Sequence, residues 1–240
     1  MKYIKYKNIA VSYEQNLHGG GMRFGQQYLQ VVKEKFGHVS HIYEFCSGPG
    51  FIGFSLLANN LCDKLTLADI NPRAVKVAKE TIKNNNLESR VNVYLSNCLD
   101  NIPESEKWDL VVGNPPHVFC PPNDERQKDI ILYDPNFEIH RKFYRDIKKF
   151  LKPGGSVMLQ EHTESTNVED FQEMIEANGL KIIEVFAVNP PPDPSSIKPK
   201  PSKISLLRKV FNPVRVYKFI KRRMFPVAPR HYYFIWAKLS

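Results

Sequence analysis

The sequence predicts an α/β protein built on a seven-stranded, mainly parallel sheet with helices on both faces and an antiparallel last strand. Short apolar runs recur along the 240 residues and alternate with stretches of helical spacing, the pattern of a parallel sheet covered on both sides. A glycine-rich turn follows the first run, and a Lys152-Pro153-Gly154-Gly155 stop precedes the fifth. An apolar fraction of 42% with 12% aromatics suffices for one well-buried domain of this length.

Strands are expected at residues 41–45, 64–68, 91–95, 110–112, 156–160, 181–188 and 231–239. Residues 73–84 place Ala74, Val77, Ala78 and Ile82 at helical spacing, with Pro72 in the first turn. Residues 137–151 read as a second helix ended by the Pro-Gly-Gly stop, and 54–59 and 26–36 as two more. The expected organisation is an N-terminal segment at 1–40, a core at 41–188, a Pro-rich basic insertion at 189–230 and a final core strand at 231–240. Gly19-Gly20-Gly21-Met22-Arg23-Phe24-Gly25 reads as a loop, serving either closure over a ligand or a plain linker.

No stretch approaches the roughly 18 to 20 apolar residues of a membrane span, and no signal-like apolar core follows Met1, so a cytoplasmic protein is expected. Cys46, Cys62, Cys98 and Cys120 lack paired metal spacing; reduced thiols and no metal are expected. The net charge is +9, but residues 195–230 hold eleven Lys or Arg and no acid, so without that segment the chain stands at −2.

The candidate chemistry begins after the first strand, at Glu44-Phe45-Cys46-Ser47-Gly48-Pro49-Gly50. Glycines at 48 and 50 let backbone pass close to a ligand at a helix N-terminus; a glycine-rich turn holding nothing is the alternative. Asp69, in Ala68-Asp69-Ile70-Asn71-Pro72, follows the turn at about the spacing, roughly 20 residues, that places a carboxylate on ribose hydroxyls; helix capping is the alternative, and Asn71 suits it better. Asn97, in Ser96-Asn97-Cys98, carries an amide oxygen able to accept from the exocyclic amine of an adenine. After the fourth strand comes Gly113-Asn114-Pro115-Pro116-His117-Val118-Phe119, which ends a sheet at once and presents an amide and a rigid carbonyl.

The glycine spacing departs from G-x-G-x-x-G, which argues against a dinucleotide dehydrogenase. In order, Glu44 to Gly50, Asp69-Ile70-Asn71-Pro72, Ser96-Asn97 and Asn114-Pro115-Pro116-His117 resemble the class I S-adenosylmethionine-dependent methyltransferases of the Asn-Pro-Pro, amino-methylating branch, similar to release-factor glutamine N5-methyltransferases. Phe143-Tyr144-Arg145-Asp146-Ile147 also fits, and the likeness covers about 43–188. The resemblance implies a Rossmann-like fold and S-adenosylmethionine held by Glu44, Cys46, Ser47, Gly48, Gly50, Asp69, Ile70, Asn97, Cys98 and Asn114, with S-adenosylhomocysteine as product. It implies catalysis at Asn114, Pro115, Pro116 and His117. Two departures stand out: Asn97 where Asp is usual, and His117 where Tyr, Phe or Trp stacks on the target, with Phe119 a possible substitute ring.

Asn-Pro-Pro makes chemical sense for methylating an amide or arylamine nitrogen. Accepting both N–H protons, through the Asn114 oxygen and the Pro115 carbonyl, fixes the nitrogen and favours the pyramidal form with a localised lone pair. A plain Pro-Pro turn is the structural alternative. Glu161-His162 reads as a strand-end polar pair, and His140, beside Arg141 and Lys142, as part of a solvated helix face. The acceptor is expected to be a protein glutamine, a nucleobase or a small metabolite. Ile204, Leu207, Val210 and Phe211 lie among the cations of the basic insertion, which reads as a substrate lid in preference to an RNA or anionic-membrane contact through 198–230. The competing class is a cofactor-binding module without catalysis that docks on membrane or nucleic acid.

Overall fold

A computed structural model describes residues 2–17, 21–163, 165–188 and 232–240. The strands are β1 (Lys2–Tyr6), β2 (Ile9–Tyr13), β3 (Val39–Phe45), β4 (Cys62–Asp69), β5 (Val91–Leu95), β6 (Trp108–Gly113), β7 (Val118–Cys120), β8 (Tyr133–Pro135), β9 (Leu151–His162), β10 (Leu180–Phe186) and β11 (Tyr232–Leu239). The helices are α1 (Gly21–Lys35), α2 (Phe51–Ala58), α3 (Pro72–Asn84), α4 (Glu138–Ile147) and α5 (Glu169–Glu176).

Seven strands form one sheet in the order β10-β11-β9-β6-β3-β4-β5. Neighbours from β9 to β5 run parallel, and β11 is antiparallel to both β9 and β10, as expected. Both faces are buried, which is why these strands read as continuous apolar runs. Successive residues alternate between two cores. Ile42, Leu110, Val112 and Met158 join Tyr28, Val31 and Val32 of α1 and Phe54 and Leu57 of α2. Tyr43, Val111, Val157 and Leu159 join Phe143 and Ile147 of α4 and Phe171 and Ile175 of α5.

The sequence reading is corrected at several boundaries. Helix α1 begins at Gly21, so the expected loop at 19–25 is helical over its described part. Tertiary packing overrides the low helix propensity of glycine here: a side chain at Gly25 would come within 2.8 Å of the Phe51 carbonyl, so α1 and α2 touch through bare backbone. The second expected helix ends at Ile147, a 3-10 turn follows at Lys148–Phe150, and Leu151 already belongs to β9. The Pro-Gly-Gly stretch is an irregularity inside that strand, since Trp108 pairs with Leu151 but Leu110 with Ser156. An N-terminal hairpin, β1-β2, was not foreseen. It docks on α3, where the Asn85 side chain exchanges hydrogen bonds with Ala10 (2.9 and 3.0 Å) and Thr81 Oγ1 accepts from Ser12 N (2.9 Å). Pro72 opens α3 as expected, with Asn71 as its cap accepting from Arg73 N at 3.0 Å.

The basic insertion, including Ile204, Leu207, Val210 and Phe211, lies outside the described residues. Among those described, no helix is long and apolar enough to cross a membrane.

The second core is organised by Trp108 at the start of β6. Its ring stacks on Tyr43 (centroids 4.1 Å apart) and Phe150 (5.2 Å), and its indole N–H donates to Glu106 at 3.2 Å. Trp108→Ala removes that stack and one of two donors to the Glu106 oxygen, which keeps Thr66 Oγ1 at 2.8 Å, so a loss of about 3–5 kcal/mol is expected, most of it from the cavity. Urea unfolding followed by circular dichroism measures it, and a loss under about 1 kcal/mol would show that the core closes over the gap.

Candidate active site

A cavity of about 290 Å³ opens at the carboxyl ends of β3, β4, β5 and β6. Chain order runs outward in opposite directions from β3 at this point, which leaves a crevice between the loops that follow β3 and β6. Glu44, Cys46, Ser47, Gly48, Asp69, Ile70, Asn97, Cys98 and Asn114 all line it. Gly50 does not. Its backbone is left-handed (φ +84°), and a Cβ there would lie 2.8 Å from the Phe54 ring and 2.9 Å from Leu67, so packing of the turn requires the glycine.

Two carboxylates organise the cofactor side by accepting backbone N–H groups. Glu44 accepts from Gly53 (2.6 Å) and Ile52 (3.3 Å) in the first turn of α2. Burial pushes its carboxyl up to about 8, against the opposing pull of those two amides. Asp69 accepts from Gly48 N (2.7 Å) and Asn71 N (2.8 Å), tying the glycine turn to the end of β4. Burial raises its carboxyl too, with the Asn71, Gly48 and Ile70 amides opposing. The turns around the cavity hold left-handed backbone at Cys46 (φ 50°) and Cys98 (φ 53°), and the Cys98 thiol donates to the Ile139 carbonyl at 3.6 Å. Ser96 Oγ accepts from Asn101 N at 3.0 Å, which leaves Asn97 as the exposed side chain of that turn.

Beyond β6, Asn114 and Pro116 line the cavity, whereas Pro115 and His117 do not. The Asn114 side-chain oxygen is buried without a hydrogen-bond partner. The His117 ring is buried, stacks on His162 at 5.8 Å and meets Tyr232 edge-on at 5.9 Å. Burial, with His140 and His162 adding to it, brings its imidazole down to about 3, so it is neutral. Phe119, the possible substitute ring, is 44% exposed, rests on Phe137 (5.4 Å) and does not line the cavity.

The far wall of the cavity was missed by sequence reasoning. Strands β7 and β8 pair in a small parallel sheet of their own, and Gln127, Ile130, Ile131, Tyr133 and Pro135 from this segment line the cavity, as does Leu17 from before α1.

This cover is fastened by a buried ion network. Asp134, fully buried on β8, accepts from the Ile139 and His140 backbone and from His140 Nδ1 (2.6 Å); His140 Nε2 donates to Glu161 at 3.1 Å. The other Glu161 oxygen lies 3.8 Å from His117 Nδ1. His140 is therefore an interior residue, contrary to the solvated face expected for it; the flanking Arg141 and Lys142 misled the reading. Burial alone would lower its imidazole, but the Glu161 and Asp134 carboxylates outweigh burial and push it up to about 10. Among the described residues, no group of three or more His, Cys, Asp or Glu is arranged to hold a metal.

The methyltransferase small domain model matches residues 25–184. The chain belongs to this family. Family membership and fold thus agree with the S-adenosylmethionine-dependent methyltransferase that the motifs imply. Among its relatives are a release factor glutamine methyltransferase of Clostridium acetobutylicum, 31% identical over 153 residues (60% of this chain, 53% of the relative). A bifunctional methyltransferase of Rickettsia bellii is 30% identical over 151 residues (59% and 27%). The chain thus spans about half or less of the length of these relatives. Solved structures with the same fold include a Bacillus subtilis tRNA methyltransferase (TM-score 0.55, 12% identity, 89% of this chain and 66% of that one). Another is an O-methyltransferase from a trans-AT PKS multienzyme of Brevibacillus brevis in complex with S-adenosyl-L-homocysteine (TM-score 0.53, 15%, 90% and 72%).

S-adenosylmethionine fits the residues present. Among the described residues, the lining holds the carboxyl groups of Glu44 and Asp69 and no Lys or Arg, a balance suited to a ligand that carries positive charge.

The His140 assignment has a pH signature. Its folded value lies above the ordinary 6.5, so its contribution to stability is fully present below about pH 6.5 and is lost as pH climbs toward 10. The His140 ring signals in NMR should therefore stay those of an imidazolium from pH 5 to 8. A titration midpoint near 6.5 would mean that the ring is not held between charged carboxylates.

Proposed function

We propose that the protein is an N-methyltransferase whose acceptor nitrogen is held by the Asn114 side chain at the cavity wall. The observation that carries this reading is the buried, unpartnered oxygen of Asn114 in the cavity wall. Such an atom costs about 1–3 kcal/mol unless something donates to it. A substrate N–H is a donor that the enzyme would gain only when the acceptor is in place.

Asp69 would accept from the ribose hydroxyls, Ile70 and Asn97 would flank the adenine, and Glu44 and the Ser47-Gly48 backbone would receive the amino-acid end. When bound, S-adenosylmethionine supplies an electrophilic methyl on a sulfonium sulfur. The Asn114 oxygen accepts from a proton of the acceptor nitrogen, holds it toward that methyl and favours its localised lone pair. Pro115 and Pro116 fix the backbone from which that side chain projects. His117, neutral and packed on His162, backs the loop from inside.

The acceptor we infer is the side-chain amide of a protein. One relative named above is by name a release factor glutamine methyltransferase, and among the described residues the acceptor side of the cavity is apolar apart from Gln127 and Tyr133. The cations of the cover are already engaged, Arg126 with Asp124 (2.7 Å) and Lys128 with Glu125. The described residues therefore offer no phosphate-binding track beside the methyl-transfer point.

Incubation with labelled S-adenosylmethionine and either a bacterial release factor or bulk tRNA tests the acceptor class. Label should enter the protein; label in tRNA would reverse the assignment, and label in neither would favour the module without catalysis. Asp69→Ala should weaken cofactor binding by about 1–3 kcal/mol in calorimetry, through lost ribose bonds and a released Gly48 turn. Unchanged affinity would remove Asp69 from the cofactor site. Asn114→Ala should lower the transfer rate by roughly a hundredfold or more while leaving cofactor affinity mostly intact. An equal fall in both would place that side chain on the cofactor instead.

A further inference from the structure

We propose that Tyr28 of α1 is a positioning residue for methyl transfer: its hydroxyl fixes Gly113 and so sets the direction in which Asn114 enters the cavity. The inference rests on the reading of Asn114 as the group that holds the acceptor.

The Tyr28 ring is fully buried and meets Phe234 edge-on at 5.0 Å. Its hydroxyl lies 2.5 Å from the Gly113 carbonyl and 3.0 Å from that of Met158, and it accepts from Gly113 N–H at 3.2 Å. A phenol has one proton, so the shorter contact to Gly113 takes it, and the lone pairs remain for the Gly113 amide. One side chain thus satisfies both the donor and the acceptor of the last residue of β6.

Gly113 is the last residue of β6, still paired with Phe45 of β3 and Leu159 of β9, and the Tyr28 hydroxyl joins that pairing where the strand ends and Asn114 turns away. On its β3 side the strand end lies close against its neighbour, since a side chain at Gly113 would come within 2.7 Å of the Phe45 carbonyl. The strand end is therefore held between the β3 backbone and the Tyr28 hydroxyl. The helix that carries Tyr28 is itself anchored on the cofactor helix α2: Ser55 Oγ donates to the Gly25 carbonyl at 3.2 Å. Its neighbour Gln27 accepts from the Gln160 amide at 2.8 Å, next to Glu161. Helix α1 thus ties the element that faces the cofactor to the loop that faces the acceptor, and the hydroxyl of Tyr28 is the point of contact with that loop. In-line transfer is sensitive to displacements of about 1 Å, which freeing Gly113 would permit.

Tyr28→Phe deletes the hydroxyl and keeps the packing on Phe234. With a release factor as the acceptor probe, kcat should fall about tenfold or more, while the acceptor KM and the S-adenosylmethionine dissociation constant stay within about twofold. The Asn114 side-chain amide signals, assigned by their loss in Asn114→Asp, should shift in the NMR spectrum, and the Gly48 amide should not. Phe234→Leu loosens the same packing without touching the hydroxyl, so it should lower the melting temperature yet keep kcat. An unchanged kcat in Tyr28→Phe overturns the proposal, as does a parallel loss of cofactor affinity, or an equal fall of kcat in Phe234→Leu. If the wild-type chain methylates no release factor, the amide signals decide alone: a shift keeps the positioning role while the acceptor reading fails, and no shift overturns the positioning role too.

Discussion

The structure depends on how backbone polar groups are satisfied where a buried parallel sheet stops. Inside the ladder each amide has a strand partner; at the carboxyl edge the strands separate and the partners run out, with no free access of water to replace them. Three side chains meet this need. Glu44 takes the first amides of α2, Asp69 takes those of the glycine turn and of Asn71, and Tyr28 takes both polar groups of Gly113. The cavity is the space these three anchors hold open. Asn114 gives the arrangement a use, since its side-chain oxygen stands in the cavity wall without a donor.

The anchors also fix the electrostatics. Two buried carboxylates, with no cation beside them among the described lining residues, are costly to ionise, and burial pushes both upward in pKa. The opposing backbone amides limit that cost. A positively charged ligand would offset more of it, so the same groups that hold the loops favour a cationic ligand. The acceptor cover is built on another principle: a charged imidazole between two carboxylates, Asp134 and Glu161, all inside the protein. Breaking such a buried arrangement by removing one member is expensive, about 3–5 kcal/mol, so it fastens the cover firmly even though its net gain over apolar packing is small.

What was legible in the sequence follows from the range over which each signal acts. Strand cores such as 91–95 were placed to the residue because a strand buried on both faces declares itself locally. The cofactor-side residues were legible because Glu44, Gly48 and Asp69 act through turns close in sequence to the strands that carry them. Tyr28 and His140 were not, because their roles come from partners 85 and 21 residues away that nothing near them announces. His140 was misread for a further reason. On an amphipathic helix its neighbours Arg141 and Lys142 turn outward while position 140 turns in, and one polar side chain facing inward looks the same in sequence as one facing water. The start of α1 failed similarly: three glycines signal a loop, and only the contact of Gly25 with the Phe51 backbone explains a helix there.

The two halves of the site are therefore held by unlike means, and this has a consequence for how they respond to change. The cofactor half is fixed by short bonds from carboxylates to the backbone of their own or adjoining turns, so a substitution there disturbs a local loop and its ligand together. The acceptor half is fixed at long range, by Tyr28 from α1 on one side and by His140 from α4 on the other, with Asn114-Pro115-Pro116-His117 between them. Side chains on these two helices can alter the placement of Asn114 and the shape of the cover without touching the cofactor turns. A fold that separates the two in this way can keep one cofactor while its acceptor wall is rebuilt. In this chain, the segment that follows Asn-Pro-Pro forms that wall with its own small sheet and a buried histidine in its fastening.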